Sequence, residues 1–340
     1  MRRLLWLLVV ASLSLSACTA LWAQAISHRI SEDLLALKSY RGELVEKGLL
    51  ADPQAELKKQ VLYQKPWKVR VEVTAPAERK GDLYLYDGGT LTLWWPRELF
   101  GVRVAGLSAP KDEAIRAHLE AETKHNLEHY AFHLVGETKV AGQSAARWKV
   151  IPKASAPFRY VHHSWMHSDH SFPLRMDFYR DGEKELWYAM EFRSLELPTQ
   201  VEQDAFAFSF PPNAVVFEWD WRDEAVSLEA ARPAMNFTLR TLKAPAGFEI
   251  DKSVRGRHDL PMLATRARRG ASWLSLTQNR NYAGTLSMPV GKRVRIGEAE
   301  GYLNFMGAFA VVSWTLGDTQ LTLVGNLSFP QLLEVAAAVR

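Results

Sequence analysis

Only one of the 340 residues is a cysteine, Cys18, and that scarcity excludes a good deal at once. A mature domain without thiols forms no disulfide, no CxxC redox pair and no cysteine zinc site, so its stability must come from core burial. Neither sign of charge dominates: 42 Lys and Arg stand against 38 Asp and Glu, a formal net of +4 at pH 7. Such a balance gives no general attraction to nucleic acid. After residue 25 no hydrophobic run is long enough to span a bilayer as a helix. There is no G-x-S-x-G elbow to expose a serine nucleophile and no G-x-G-x-x-G turn for a dinucleotide. The stretch "GTLSMPVGKR" (284–293) ends as a phosphate loop does, but six residues separate its glycines instead of four. Arg293 also stands where Ser or Thr must hold magnesium. No catalytic residue, metal or cofactor is therefore nominated, and the expected class is non-enzymatic.

What is present begins with "MRRLLWLLVVASLSLSAC": two arginines, then an apolar run too short to cross a membrane but with the length and flanks of a secretory h-region. Residues 1–25 are read as a signal peptide, which sends the chain to the cell envelope. Two ends for it compete. "LSAC" (15–18) has the form of a bacterial lipobox, which would place diacylglycerol on Cys18 and attach the protein to a membrane by its N-terminal lipid. Ala23-Gln24-Ala25 fits ordinary signal peptidase and would release a soluble periplasmic protein.

Along the mature chain the hydrophobic period changes. Ile26, Ile30, Leu34 and Leu37 have helical spacing. In "WKVRVEVTAP", Trp67, Val69, Val71 and Val73 alternate with polar residues, as in a strand with one wet face. "GDLYLYDGGTLTLWWP" reads as a hairpin turned by Asp87-Gly88-Gly89. A three-residue turn puts Leu83, Leu85, Leu91 and Leu93 on one face, with Tyr84, Tyr86 and Trp94 on the other. Residues 110–131 read as a polar helix opened by Pro110, and strands follow to Arg193, with a last one over 215–219. A boundary falls at 223–246, dividing a large domain (26–222) from a small one (247–340). The small one is expected to carry strands at 248–254, 262–267, 272–278, 293–305 and 309–325 and a terminal helix behind Ser328 and Pro330. The fold class is α+β.

The order of "LLALKSYRGELV", "LYQKPWKVRVEVTAP" and "LYLYDGGTLTLWWP", followed by a "VAG" hairpin and "PLRMDFYRDG", resembles the LolA-like lipoprotein-sorting superfamily. With the small domain that opens on "APAGFEID" and closes on "LTLVGNLSFPQLLEVAAAV", the chain is similar to two-domain envelope-stress sensors of the MucB/RseB type. The resemblance implies a strongly curved antiparallel sheet, an incomplete barrel covered by helices, enclosing an apolar hollow for acyl chains or lipidated ligands. The expected lining is Val69, Val71, Leu83, Leu85, Leu91, Leu93, Met176, Phe178, Met190 and Phe192, with methionines suited to a flexible ligand. It implies further a sensor with a membrane-protein partner such as an anti-sigma factor. A soluble lipoprotein carrier and an interaction scaffold without ligand are the alternatives.

Four of the ten histidines fall in "VHHSWMHSDH". On a strand His162 and His163 point to opposite faces, and His163 and His167 lie roughly 13 Å apart at about 3.3 Å per residue. Only His167, Asp169 and His170 have the spacing to converge, and the expected structure is an exposed hairpin with mildly titrating imidazoles. Arg266, Arg268 and Arg269 form the one basic concentration, suited to anionic head groups or an acidic partner, and are otherwise expected in a solvated loop.

Overall fold

The computed structural model describes residues 30–50, 52–107, 111–156, 160–180, 183–256, 261–269, 272–281, 291–306, 309–327 and 329–340. Cys18, the competing cleavage site at 23–25, Pro110, Ser328 and most of "GTLSMPVGKR" lie outside the described residues. The first helix, α1, is seen over 30–36, and the expected start at Ile26 is likewise outside them.

Twelve strands build the larger sheet. The first six form a meander: β1 (Ser39–Lys47), β2 (Glu56–Gln64), β3 (Lys68–Ala75), β4 (Leu83–Tyr86), β5 (Leu91–Trp95) and β6 (Phe100–Ala105). The helix α2 (Asp112–His129) then carries the chain away to a second meander. This comprises β7 (Tyr130–Val140), β8 (Gln143–Pro152), β9 (Val161–His167), β10 (Pro173–Arg180) and β11 (Glu185–Glu196), and β12 (Val215–Asp220) follows it. The spatial order is β12-β6-β5-β4-β3-β2-β1-β11-β10-β9-β8-β7. The two meanders therefore meet at the β1·β11 ladder, and among the described residues β12 and β7 are the free edges of an open, incomplete barrel. The pairing is antiparallel except that β12 runs parallel to β6, a departure from the all-antiparallel expectation. The sheet curls strongly at its β7 end: Val140 and Leu195 share one core cluster, and Gln143 Nε2 donates to the Leu195 carbonyl at 3.4 Å, across the width of β9 and β10.

The β4–β5 hairpin corrects the expected face assignment. Asp87 Oδ1 accepts the N–H groups of Gly89 and Thr90 at 2.9 and 2.8 Å, and Asp87 N–H donates to the Thr90 carbonyl at 3.2 Å. The loop thus has four residues, not three, and Tyr86 pairs with Leu91, Tyr84 with Leu93 and Leu83 with Trp94. Directly paired residues share a face, so the tyrosines join Leu91 and Leu93, while Leu83 and Leu85 join Trp94 on the opposite side.

The chain crosses to the second sheet through a short helix, α3 (Leu228–Ala231), capped by Ser227 Oγ, which accepts the Ala230 N–H at 3.1 Å. Seven strands follow: β13 (Glu249–Arg255), β14 (Met262–Arg269), β15 (Ser272–Arg280), β16 (Lys292–Ile296), β17 (Ala299–Met306), β18 (Phe309–Leu316) and β19 (Thr319–Gly325). Their order is β13-β14-β15-β19-β18-β17-β16. The two long strands expected at 293–305 and 309–325 are hairpins. Gly297 (φ 60°) and Gly317 (φ 62°) take the left-handed conformation that glycine adopts without strain, and each turns the chain back. The terminal helix α4 (Phe329–Ala337) packs Leu332, Val335 and Ala336 onto Leu303, Leu321 and Leu323 of this sheet.

Candidate functional site

One face of the larger sheet, here called inner, carries Leu44, Val61, Tyr63, Val71, Tyr84, Leu91, Leu93 and Phe192, buried in one cluster with Leu37 beyond the end of α1. Aromatic rings close this part: Tyr40 stacks between Tyr63 and Phe172, with centroids 5.4 and 5.5 Å away. α2 is tied against α1 by the Arg116–Glu32 pair at 2.6 Å, and Lys65 Nζ bonds both the Leu35 carbonyl and Asp112 at 2.7 and 3.2 Å. The inner face continues to two buried charges. Lys59 Nζ pairs with Glu46 Oε2, and Tyr188 O–H donates to Glu46 Oε1 at 2.9 Å. Beyond them Leu57, Val73 and Tyr188 belong to the cluster that also contains the second sheet's leucines.

Toward β7 the same face opens. Register places Leu134, Trp148, Ser164, Met176, Met190 and Glu46 opposite one another in a row across six strands, and Phe132, Val150, His162, Phe178 and Tyr188 in a row beside it. Trp148, Met176, Met190, His162 and Phe178 are only half-buried, and exposure rises at the edge to 58% for Leu134 and 40% for Phe132. His162 stacks on Phe178 with centroids 4.9 Å apart, and burial followed by the neighbouring His163 pushes its pKa down to about 4. At the end of this strip Phe329, the first residue of α4, meets Phe178 edge-on at 5.8 Å and Trp187 at 5.5 Å. The second sheet's helix thereby reaches the strip directly.

The ten residues expected to line one hollow are thus distributed in three places. Val71, Leu91, Leu93 and Phe192 lie in the aromatic-closed core with Val69 packed against it. Met176, Phe178 and Met190 lie on the open strip. Leu83 and Leu85 are excluded by the hairpin register and pack on the outer face with Leu62, Trp94 and Phe206. The outer cover is a strap after β11, whose period-two aromatics Phe206, Phe208 and Phe210 turn toward the sheet; the Phe208–Phe210 and Trp94–Phe210 centroids are 5.2 and 5.7 Å apart. Beneath this strap lies a cavity of about 500 Å³ lined by Arg41, Gln60, Leu62, Arg70, Glu72, Glu202 and Asp204 among others. No motif announces it, though the alternation of Arg70 and Glu72 marks that face as polar.

The histidine segment is strand, turn and strand, as expected, but it is not exposed. His163 and His167 are 6% and 5% exposed. His163 Nδ1 lies 3.2 Å from Arg147 Nη2, and His167 Nδ1 accepts the Asp169 N–H at 3.1 Å and stacks on Phe172. Burial lowers both pKa values, with Arg147 adding to it at His163 and His170 at His167. Among the described residues no three His, Cys, Asp or Glu are grouped to hold a metal. Arg266, Arg268 and Arg269 lie on strand β14 and not in a loop. Arg266 is 6% exposed, held over the Trp221 ring at 4.6 Å and paired with Asp251 at 2.5 Å, which Arg268 also approaches at 3.2 Å. Arg269 covers the Phe248 ring at 4.8 Å. No described helix is long and apolar enough to cross a membrane.

Residues 103–209, which contain the strip from Leu134 to Met190 and the strap as far as Phe208, match the family model for the MucB/RseB N-terminal domain. No curated protein matches the chain. Among solved structures it is similar to a chain of the MucA/MucB complex of Pseudomonas aeruginosa (16% identity, 94% of this chain and 98% of that one, TM-score 0.46). A crystal structure of MucB is matched at 15% identity over 92% of this chain and 95% of that one, with TM-score 0.49. A LolA-superfamily protein from Nitrosomonas europaea is matched at 14% identity over 55% and 97%, with TM-score 0.26. Residues 103–209 are thus similar to the N-terminal domain of the MucB/RseB family, the family that the strand-and-turn pattern of the sequence also resembles.

Proposed function

We propose that this chain is a non-enzymatic cell-envelope protein that binds acyl chains on the inner face of its larger sheet and reports their presence to a protein partner. The observation that carries the reading is the half-buried strip of Trp148, Met176, Met190 and Phe178, which runs from the closed core to the open β7 edge. Burial is the whole mechanism: at about 25 cal/mol per Å² of apolar area, an enclosed hydrocarbon chain gains several kcal/mol without any directed chemistry. Methionines adapt to a chain of variable shape. The contact of Phe329 with Phe178 supports the sensing half, since a ligand on the strip competes with that contact. The regions 26–222 and 247–340 then act as ligand-binding and reporting units, joined by 223–246. An anti-sigma factor is the partner class suggested by the family, and anchoring through Cys18 is the proposed localisation. Titration of the delipidated protein with a fluorescent fatty acid tests this: saturable binding that Met176→Lys weakens at least tenfold is expected. A protein that takes up none leaves the scaffold reading.

A further inference from the structure

The strap after β11 forms an arch over the outer face of the larger sheet. At its near end Thr199 is fixed to Ser39, whose Oγ donates to the Thr199 carbonyl at 2.8 Å and accepts the Thr199 N–H at 3.2 Å. At its far end Phe206 is buried with Leu62, Leu83 and Leu85, and Phe210 sits over Gly101, where a methyl group would strike the ring. Between these anchors the cavity of about 500 Å³ remains beneath the chain. Its floor is polar by register: Arg41 and Arg70 flank Leu62 in one row across β1, β2 and β3, and Gln60 stands opposite Glu72 in the next. Residues that only sealed the sheet would be apolar, as they are beneath Phe206. Glu202 and Asp204 line the cavity from the arch.

Two arginines thus meet three carboxylates, and the lining carries one net negative charge. The two arginines differ in what holds them. Arg70 is a pillar between floor and arch: Nη2 donates to Glu72 at 3.0 Å, and Nη1 reaches the Ala205 and Ala207 carbonyls, each at 3.4 Å. Arg41 meets Glu202 at 3.9 Å, a loose pair with 41% and 76% of the side chains exposed, which a ligand carboxylate displaces at little cost. We propose that the arch covers a binding site for a free basic α-amino acid: its carboxylate takes the fork of the Arg41 guanidinium, and its two ammonium groups take the freed Glu202 and Asp204. The aliphatic stem lies against Leu62, Ala205 and Ala207, and the ligand's net positive charge cancels that of the lining. A neutral amino acid leaves one carboxylate unbalanced, and a diamine leaves Arg41 unused. The site lies on the opposite side of the sheet from the acyl-binding strip and does not depend on that reading.

Calorimetric titration of the full chain compares L-lysine with norleucine, which lacks the side-chain ammonium, with lysine amide, which lacks the carboxylate, and with Nα-acetyl-lysine, which imitates the last residue of a peptide. Lysine should bind saturably at one site, and each of the other three at least about tenfold more weakly, through the loss of one charge-assisted contact. Arg41→Gln should bring lysine down to the affinity of lysine amide and leave lysine amide itself no weaker, a pattern that general unfolding does not produce. Glu202→Gln combined with Asp204→Asn should abolish lysine binding while the melting temperature stays that of the parent protein. Absence of saturable lysine binding overturns the proposal. So does norleucine or lysine amide binding as tightly as lysine, or an Arg41→Gln variant that retains full affinity. Nα-acetyl-lysine equal to lysine overturns the free amino acid as ligand and assigns the site to a peptide C-terminus.

Discussion

Glu46 and Lys59 form an ion pair at the centre of the inner face, with 3% and 6% of their side chains exposed. Neighbouring strands β1 and β2 deliver them to the same side, and Tyr188 from β11 completes the hydrogen bonding of Glu46. Removing one partner of a buried pair leaves the other uncompensated, at a cost of about 3–5 kcal/mol, whereas replacing both with apolar residues is far less harmful. Glu46→Leu and Lys59→Met should each lower stability by that amount in urea unfolding. The double variant should recover most of the loss.

The outer and inner faces should separate stability from binding. Leu85, 3% exposed beneath the strap, should lose about 2–5 kcal/mol as Leu85→Ala with unchanged affinity for fatty acid. Met190→Ala should show the reverse emphasis, a modest loss of stability and weakened binding, in paired denaturation and titration experiments.

His162 should make the fold acid-sensitive. Its pKa falls from 6.5 to about 4, so the neutral ring is favoured in the folded protein. Its share of stability is complete above about pH 6.5 and is lost as pH falls toward 4, a change of about 1–3 kcal/mol. His162→Phe keeps the stacking on Phe178 and should flatten this dependence between pH 7 and 4.5. Urea midpoints of both proteins across that range give the comparison, and equal slopes would remove His162 as the cause.

Phe329→Ala should loosen the second sheet from the larger one. The ring touches Phe178, Trp187 and Tyr160, and its loss should cost about 1–3 kcal/mol of that contact. Faster limited proteolysis within residues 223–246 is the expected readout, and an unchanged cleavage rate would show that Phe329 does not hold the two parts together.

Period-two alternation in residues 68–73, the polar helix after residue 110 and the strand-turn-strand around His167 were legible in the residues themselves, because each depends on spacing within a few positions; Trp67, expected to begin that strand, is a turn residue with φ 59°. Partition of the apolar residues between faces was not. It turns on whether the loop after Tyr86 has three residues or four, and Asp87 settles that by bonding Thr90 as well as Gly89. Burial of Arg266 was equally hidden, since its partners Trp221 and Asp251 arrive from distant segments. The open strip was visible only in part: Met176 and Met190 were identified, but Trp148 and Leu134 join them solely through the ladder order.

The β1·β11 ladder joins residues some 150 positions apart, Arg41 with Glu196 at one end and Lys47 with Ala189 at the other. Each meander closes through nearby contacts and forms early, but this seam must wait for a long loop to be gathered in. During synthesis the first six strands therefore emerge with β1 unpaired on one side, a raw margin until nearly two hundred residues have been delivered. Closing of this single central zip is accordingly expected to govern assembly, and variants along it, Gly42 among them, where an added methyl would meet the Ser194 carbonyl at 2.5 Å, should reveal themselves first as poor yield.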